Sequence, residues 1–225
     1  GLKTACIDNW RNKQGRLNLG GSYLNAGCVA SMALLESAKL YHAFIHNGAE
    51  HGIVADTVDL DVGQMIRRKD AIIDDINSKI VNLFKHHKID TIHARAKLQA
   101  AKQVAVFPVD QAEPYLLKAE FIILAAGSSP IELPCAAIDN DSIIDTGAAL
   151  NLEEVPRRLA IIGAGIKGLE IAGIWNRLGS ETVLLEAQET FLSLPDQQIS
   201  REAYRLFTEQ GLELRLGARV ISAKK

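Results

Sequence analysis

Hydrophobic residues recur along this chain at two kinds of spacing, which predict two kinds of element. Apolar residues three, four or seven positions apart predict amphipathic helices over residues 28–46 and 62–84. Asn47 and Gly48 are suitable residues for the end of the first helix. Short apolar runs rich in β-branched residues predict strands at residues 2–7, 91–98, 103–109 and 120–124. The first part of the chain therefore mixes strands and helices.

A second alternating set follows a loop-rich stretch at residues 130–156, which is interpreted as a crossover. The predicted elements are a strand at 159–162, a helix at 166–178, a strand at 182–185, a helix from Asp196 to Gln210, and strands at 212–216 and 219–223. Gly179 and Gly211 are suitable helix ends, and Asp196 is a suitable N-cap. Strands that alternate with helices predict the α/β class, with two Rossmann-like domains and parallel pairing.

The best-defined motif joins the first strand of this second set to its helix. A G-x-G-x-x-G pattern follows the strand, and an acidic residue ends the next strand. The glycines permit a tight turn and bring a pyrophosphate close to a helix N-terminus, while the carboxylate accepts hydrogen bonds from a ribose. The candidate residues are Gly163, Ala164, Gly165, Ile166, Gly168 and Glu186. No arginine follows Glu186, which favours NAD over NADP.

Lys167 departs from the usual pattern within this motif, where an apolar residue normally packs between helix and sheet. A cation at this end of a helix lies on the unfavourable side of the helix dipole. Two interpretations stay open. The side chain contacts a phosphate, or its stem lies along the surface with the ammonium in water.

A further informative stretch runs from Gly20 to Leu35, with a glycine pair followed by a helix that begins near Cys28. Gly20 and Gly21 allow a ligand to approach the backbone. The dipole of a helix favours a thiolate at the helix start, so Cys28 is a candidate redox residue; a buried structural cysteine is the alternative. Asp8, at the end of the first strand, is either a ribose acceptor or an ordinary turn residue.

The sequence GGSYLNAGCVASMALL at Gly20–Leu35 resembles the active-site helix of the flavoprotein disulfide reductases, and most closely that of the dihydrolipoamide dehydrogenases. The family pattern there is GGTCLNVGCIPSKALL. Both glycines and Cys28 agree, and Cys28 corresponds to the second redox cysteine. Two differences fall on residues that carry the family's chemistry. Tyr23 replaces the first redox cysteine, and Met32 replaces a lysine that lies beside the flavin.

The resemblance covers nearly the whole chain and implies two cofactors. FAD is expected on residues 1–129, which include a small β-meander, and NAD on residues 157–225. The implied FAD contacts are Asp8, Gly20, Gly21, Ser22, Ala96, Ala126 and Gly127. Val220 corresponds to a position beside the adenine of NAD. Relative to the family we expect the sequence to be truncated at both ends, without the first strand and its glycine motif or the C-terminal interface domain.

The resemblance also implies a reaction, in which electrons pass between dihydrolipoamide, FAD and NAD. The implied partner is the lipoyl group of a 2-oxoacid dehydrogenase complex, and the family forms homodimers. Because a phenol cannot form a disulfide, Tyr23 leads us to expect that lipoamide activity is lost. Two alternatives remain. The chain belongs to a disulfide-independent flavin diaphorase or transhydrogenase-like enzyme, or it is a non-catalytic NAD-binding module.

Glu170 is the second candidate catalytic residue, because the resemblance makes it the ion-pair partner of the lysine that Met32 replaces. An unpaired buried carboxylate is costly, so Glu170 needs another cation, a proton or water. Lys167 is one candidate partner. Exposure of Glu170 to solvent is the simpler alternative.

Composition narrows the classes of function and location that remain. A formal net charge of −2, without a basic run, gives no reason to propose nucleic acid binding. No apolar run approaches the ~20 residues that cross a bilayer, and no signal peptide is visible, so we expect a cytoplasmic protein. The three cysteines lack zinc or secreted-disulfide spacing. His42 and His46 are four residues apart but no third ligand is evident, so all six histidines are interpreted as solvated.

Overall fold

The computed structural model describes residues 1–12, 15, 17–110 and 113–224. They form an α/β structure, which confirms the predicted fold class. The chain divides into two compact units, one made of residues 1–29 and 71–129, and the other of residues 30–70 with the chain from residue 130 onwards. Compactness does not report cofactor binding, so the division into an FAD and an NAD domain stays a prediction.

The described helices are α1 (Gly21–Asn25), α2 (Cys28–Asn47), α3 (Val62–His86), α4 (Thr146–Ala149), α5 (Ile166–Arg177) and α6 (Gln197–Glu209), with a 3-10 helix at Gly48–His51. The described strands are β1 (Ala5–Asp8), β2 (Asp90–Ala100), β3 (Gln103–Pro108), β4 (Tyr115–Lys118), β5 (Arg158–Ile162), β6 (Glu181–Leu185) and β7 (Glu213–Arg215). The four helices predicted from the sequence are confirmed as α2, α3, α5 and α6.

The first unit contains a four-stranded sheet in the order β1-β2-β3-β4. β1 pairs in parallel with the start of β2, which places Asp8 opposite His93. The rest of β2 pairs antiparallel with β3, and β3 with β4, which forms the expected meander. The short connection between β2 and β3 requires this antiparallel pairing, because parallel strands need a much longer crossover.

The second unit contains a parallel sheet in the order β5-β6-β7. α5 connects β5 to β6, and α6 follows β6, as parallel connections require. Glycine and apolar residues of α5 are buried, and Ala172 packs in one cluster with Leu184, Phe191 and Leu212. Trp175 is also fully buried, and its indole N–H donates to the backbone oxygen of Ala149 at 3.0 Å. These contacts hold α5 at the sheet and fix the position of its N-terminus.

Two strand predictions are wrong. Residues 120–124 form no strand, and Phe121, Ile123 and Leu124 are largely exposed. The apolar run suggested a buried strand, but a strand also needs a hydrogen-bonded neighbour, and the edge of β3 is occupied by β4 instead. Residues 219–223 also lie outside the described strands, and the backbone N–H of Ala223 donates to the oxygen of Cys135. The short helix α1 was not predicted, because a glycine pair followed by polar residues suggested a turn and a short loop.

Lys69 is a buried cation in the first third of α3, with 2% of its side chain exposed. Its ammonium contacts the carboxylate of Asp70 at 2.8 Å. It also donates hydrogen bonds to the backbone oxygen of Leu150 and to the side chain of Asn151, which follow α4. One buried side chain therefore joins α3 to the end of α4 within the second unit.

Replacing Lys69 by alanine is expected to lower the free energy of unfolding by about 3 kcal/mol, because it leaves a buried cavity and removes the donor from the buried oxygen of Leu150 and from the half-buried Asn151. Lys79→Ala is the matched control on the same helix. Lys79 pairs with Asp75 at 2.7 Å but is exposed, so its loss should cost no more than about 0.5 kcal/mol. Urea denaturation of both variants measures the difference, and equal costs would contradict the assigned role of Lys69.

Candidate functional site

The turn between β5 and α5 depends on three glycines. Gly163 has φ +100°, which residues with side chains rarely adopt, and its N–H donates to the oxygen of Leu185 at 2.8 Å. Gly168 is buried against this turn, and a Cβ there would lie 2.2 Å from the backbone oxygen of Gly163. The first helical turn of α5 therefore packs directly on the loop. A Cβ on Gly163 or Gly165 would meet no atom within 4 Å, so the turn is open on its other side.

Glu186 closes this turn from the end of β6. One carboxylate oxygen accepts the N–H of Ala164 at 3.0 Å, and the other accepts the N–H of Gln188 at 2.9 Å. The side chain is half-buried. The open face of the turn beside the N-terminus of α5, with a carboxylate at the end of the next strand, fits the pyrophosphate and ribose of a dinucleotide. Ile166, the first residue of α5, is exposed at this end.

Asp8 plays the same part in the first unit. Its carboxylate accepts the N–H of Trp10 at 2.9 Å and the N–H of Gly20 at 3.2 Å. Gly20 has φ +97° and is the N-cap of α1, and Gly21 has φ +53°. The acid after a strand thus again fixes a glycine turn before a helix. Burial, with the negative charge of Asp8, raises the pKa of the Cys6 thiol, so Cys6 is disfavoured as a thiolate.

Two amide side chains bind the backbone on either side of Gly20. The amide of Asn25 donates to the oxygens of Leu19 and Gly21, and that of Asn77 donates to Leu19 at 2.9 Å. Lys13, Gln14 and Arg16, between Asp8 and Gly20, lie outside the described residues. The first glycine turn is therefore held by side chains from α1 and α3 as well as by Asp8.

The other predicted nucleotide contacts are not joined to these turns by hydrogen bonds between described residues. Ser22 lies in α1, one residue after Gly21. Ala96 lies in the middle of β2, opposite Val106, and is exposed. The remaining three lie outside the described strands and helices, and they are Ala126, Gly127 and Val220. Their assignment to cofactor contacts stays a prediction.

Cys28 is the first residue of α2 and is exposed, so the interpretation as a buried structural cysteine is wrong. None of the three cysteines, Cys6, Cys28 and Cys135, forms a disulfide. The two residues at the altered family positions are also exposed, Tyr23 by 67% and Met32 by 60%. All of these residues lie in the described part of the chain.

Glu170 has a partner that the sequence did not suggest. The hydroxyl of Ser31 on α2 donates to the Glu170 carboxylate at 2.9 Å, and Ser31 is only 1% exposed. Glu170 itself is half-buried, so the simple interpretation of an exposed carboxylate is wrong. Lys167 is exposed and makes no ion pair with Glu170, so it is not the replacement cation. The only indication of this contact in the sequence is that Ser31 directly precedes Met32, the residue at the position of the family's lysine.

Two histidines differ from the expectation that all six are solvated. His42 is half-buried and lines a cleft, and the Nδ1 atom of His93 is buried without a hydrogen-bond partner among the described residues. Periodicity did not reveal either feature. The described part of the chain holds no group of three or more His, Cys, Asp or Glu residues arranged for a metal ion. None of its helices is both long and apolar enough to span a bilayer.

Comparison with known proteins identifies the family. Residues 1–225 match the family model described as pyridine nucleotide-disulphide oxidoreductase. The chain belongs to this family. It is 39% identical to dihydrolipoyl dehydrogenase 3 of Pseudomonas aeruginosa, across 100% of this chain and 46% of the relative. It is 37% identical to the dihydrolipoyl dehydrogenase of Cupriavidus necator, across 98% of this chain and 46% of that protein.

The chain thus spans about half the length of the curated relatives that it matches. Among solved structures, LpdA of Mycobacterium tuberculosis matches 98% of this chain with a TM-score of 0.82 at 20% identity, and 46% of LpdA is covered. The flavoprotein disulfide reductase RclA of Escherichia coli matches 97% of this chain with a TM-score of 0.73 at 24% identity, and 44% of RclA is covered. At these sequence identities, the two structural similarities establish the fold alone. The resemblance found in the sequence is confirmed at the level of the family.

The close packing at Gly168 generates a stability prediction. Gly168→Ala is expected to lower the free energy of unfolding by about 2 kcal/mol or more, because the new methyl group meets a backbone oxygen. Gly173→Ala, on the same helix, is the control. There the methyl would meet the terminal guanidinium nitrogen of Arg177, and the end of a long side chain shifts at a lower cost than a backbone oxygen, so a change within about 1 kcal/mol is expected. Thermal and urea unfolding compare the two, and a neutral Gly168→Ala would contradict the packing.

Proposed function

We propose that this chain carries FAD- and NAD-binding parts of a flavoprotein oxidoreductase related to the dihydrolipoyl dehydrogenases. The observation that carries the NAD assignment is the carboxylate of Glu186 on the N–H of Ala164, at an open glycine turn before α5. The FAD assignment is supported by the equivalent arrangement of Asp8 and Gly20. The 39% identity to a dihydrolipoyl dehydrogenase supports both assignments.

In this proposal the two acids have parallel tasks. Each holds its turn with one lone pair on each oxygen and has remaining lone pairs for the hydroxyls of a ribose. The negative charge of Glu186 disfavours a 2′-phosphate, which makes NAD the expected dinucleotide rather than NADP. The N-terminus of α5 and the open face at Gly165 receive the pyrophosphate. When bound, FAD exchanges hydride equivalents with the nicotinamide.

Disulfide exchange is a separate half of the family reaction, and this chain departs from it. Exchange needs one thiolate to attack the substrate and a second sulfur to complete an internal disulfide. Cys28 offers one sulfur, and the phenol of Tyr23 offers none. Glu170, deprived of a lysine at position 32, is held by the neutral hydroxyl of Ser31. The lipoyl group of a 2-oxoacid dehydrogenase complex, the expected family partner, is therefore not expected to be turned over.

The visible absorbance spectrum of the purified protein tests this proposal. We expect a flavin band in the blue region that NADH bleaches under anaerobic conditions, and we expect no NADH-dependent reduction of lipoamide. Protein that lacks the band, and does not acquire it when FAD is added, would contradict the FAD assignment. A band that NADH leaves unchanged would contradict the NAD assignment. Rapid lipoamide turnover would contradict the inferred consequence of Tyr23.

A second candidate function is favoured by the same replacements at Tyr23 and Met32. A flavoprotein without the redox pair still moves hydride from NADH to an acceptor that needs no sulfur chemistry. In that case NADH oxidation is expected with a quinone or dye, in proportion to bound FAD. NADH binding with neither flavin retention nor quinone reduction would instead favour a non-catalytic NAD-binding module.

A further inference from the structure

A cleft of about 460 Å³ lies in the second unit, away from the glycine turn of α5. It is lined by the last part of α2 and by the C-terminal ends of α5 and α6. The polar side chains that carry the argument are His42, His46, Arg177, Glu209 and Gln210. None of these side chains has a role in the proposed binding of nucleotides.

Two histidines lie side by side in this cleft. His42 and His46 are four residues apart on α2, which places them on the same face of the helix. Their ring centroids are 4.1 Å apart, with the ring planes inclined by 48°. Neither ring makes a hydrogen bond within the described part of the chain. Two adjacent imidazoles with available nitrogens are the ligand pair that zinc, copper and nickel ions prefer.

The ends of helices and charged side chains of both signs meet at this cleft. α5 ends at Arg177, α6 ends at Glu209, and α2 ends one residue after His46. Carbonyl groups at the ends of α5 and α6 accept backbone hydrogen bonds, such as that from the N–H of Leu178 to Trp175 and that from the N–H of Gln210 to Leu206. The carboxylate of Glu209 adds a formal negative charge, which it shares with Arg205.

Arg177 is the opposing charge, and it is already engaged. Its guanidinium donates to the backbone oxygen of Gly173 at 2.8 Å and to the side chain of Gln210 at 2.7 Å. Burial, with the neighbouring His46 and Arg177, lowers the pKa of His42.

We propose that His42 and His46 form a binding site for one divalent transition-metal ion of the nickel, copper and zinc class. Water molecules complete the coordination. An ion bound to both rings links successive turns near the end of α2. The site requires the folded helix, because only the helix brings the two rings next to each other. It does not rest on the proposed nucleotide chemistry.

Calorimetric titration of the whole chain with nickel chloride tests this site. His46→Gln is the primary variant, because His46 is exposed and its replacement leaves the packing intact. We expect one nickel ion per wild-type chain and an affinity at least about tenfold lower in His46→Gln, since the chelate is lost. His42→Gln is expected to give the same loss.

The chain provides a matched control in His86 and His87. These rings are 5.0 Å apart, but adjacent residues do not share a helix face, so they do not form a chelating pair. The double variant H86Q H87Q should bind nickel as the wild type does. Nickel should raise the Tm of the wild type and of this control, because it binds only the folded helix, and should leave the Tm of His46→Gln unchanged.

Three results would overturn the proposal. The first is a His46→Gln variant that binds nickel as tightly as the wild type. The second is a loss of binding in the H86Q H87Q control. The third is a loss of binding on Cys28→Ser, which would assign the nickel to the exposed thiol. Far-UV circular dichroism establishes that each variant is folded before its affinity is compared.

Discussion

A carboxylate that follows a β-strand and accepts two backbone N–H groups is the constraint on which both glycine turns depend. Asp8 does this at the end of β1 and Glu186 at the end of β6. In each case one oxygen holds the chain two residues further on, and the other holds an N–H of the glycine turn. A charge-assisted hydrogen bond of this kind is stronger than a neutral one, so a short acidic side chain can fix a loop that has few other contacts. Both units therefore fix a glycine turn with the same arrangement of a carboxylate and two backbone N–H groups.

The family chemistry separates into two parts that this chain treats differently. The turns that suit nucleotides keep their glycines and their acids, and the packing of Gly168 against Gly163 leaves no room for a side chain. The positions that suit disulfide exchange have changed, and the residues now present, Tyr23 and Met32, are largely exposed. Ser31 supplies a hydroxyl to Glu170, so the carboxylate has a hydrogen bond without its family cation. This pattern is the basis of the proposal that the protein performs hydride transfer without disulfide exchange.

Local patterns predicted much of this molecule. The spacing of apolar residues located α2 and α3, and the capping residue Asp196 and Gly211 located α6. The run from Arg157 to Glu186 predicted the β5-α5-β6 connection that the structure contains. These features are set by residues close together in the sequence. The wrong strand at residues 120–124 has a different cause, because an apolar run does not reveal whether a neighbouring strand exists to pair with it.

Contacts between distant parts of the sequence were not predictable in the same way. The Ser31 hydroxyl reaches Glu170 across 139 positions, and the buried ammonium of Lys69 reaches Leu150 across 81. No local period encodes either contact. The half-burial of His42 likewise arises because the ends of three helices meet around it, whereas the sequence indicated only that His46 is four residues away. The chemistry of these groups became visible through their tertiary surroundings.

The most direct test of the central claim is calorimetric titration of NADH into the wild type, Glu186→Ala and Glu181→Ala. Glu181 is exposed at the other end of the same strand, so its variant controls for a general loss of negative charge. The account predicts that the wild type and Glu181→Ala bind NADH alike, and that Glu186→Ala binds at least about tenfold more weakly because an acceptor for the ribose and for Ala164 is lost. Equal affinity of Glu186→Ala and the wild type would contradict it.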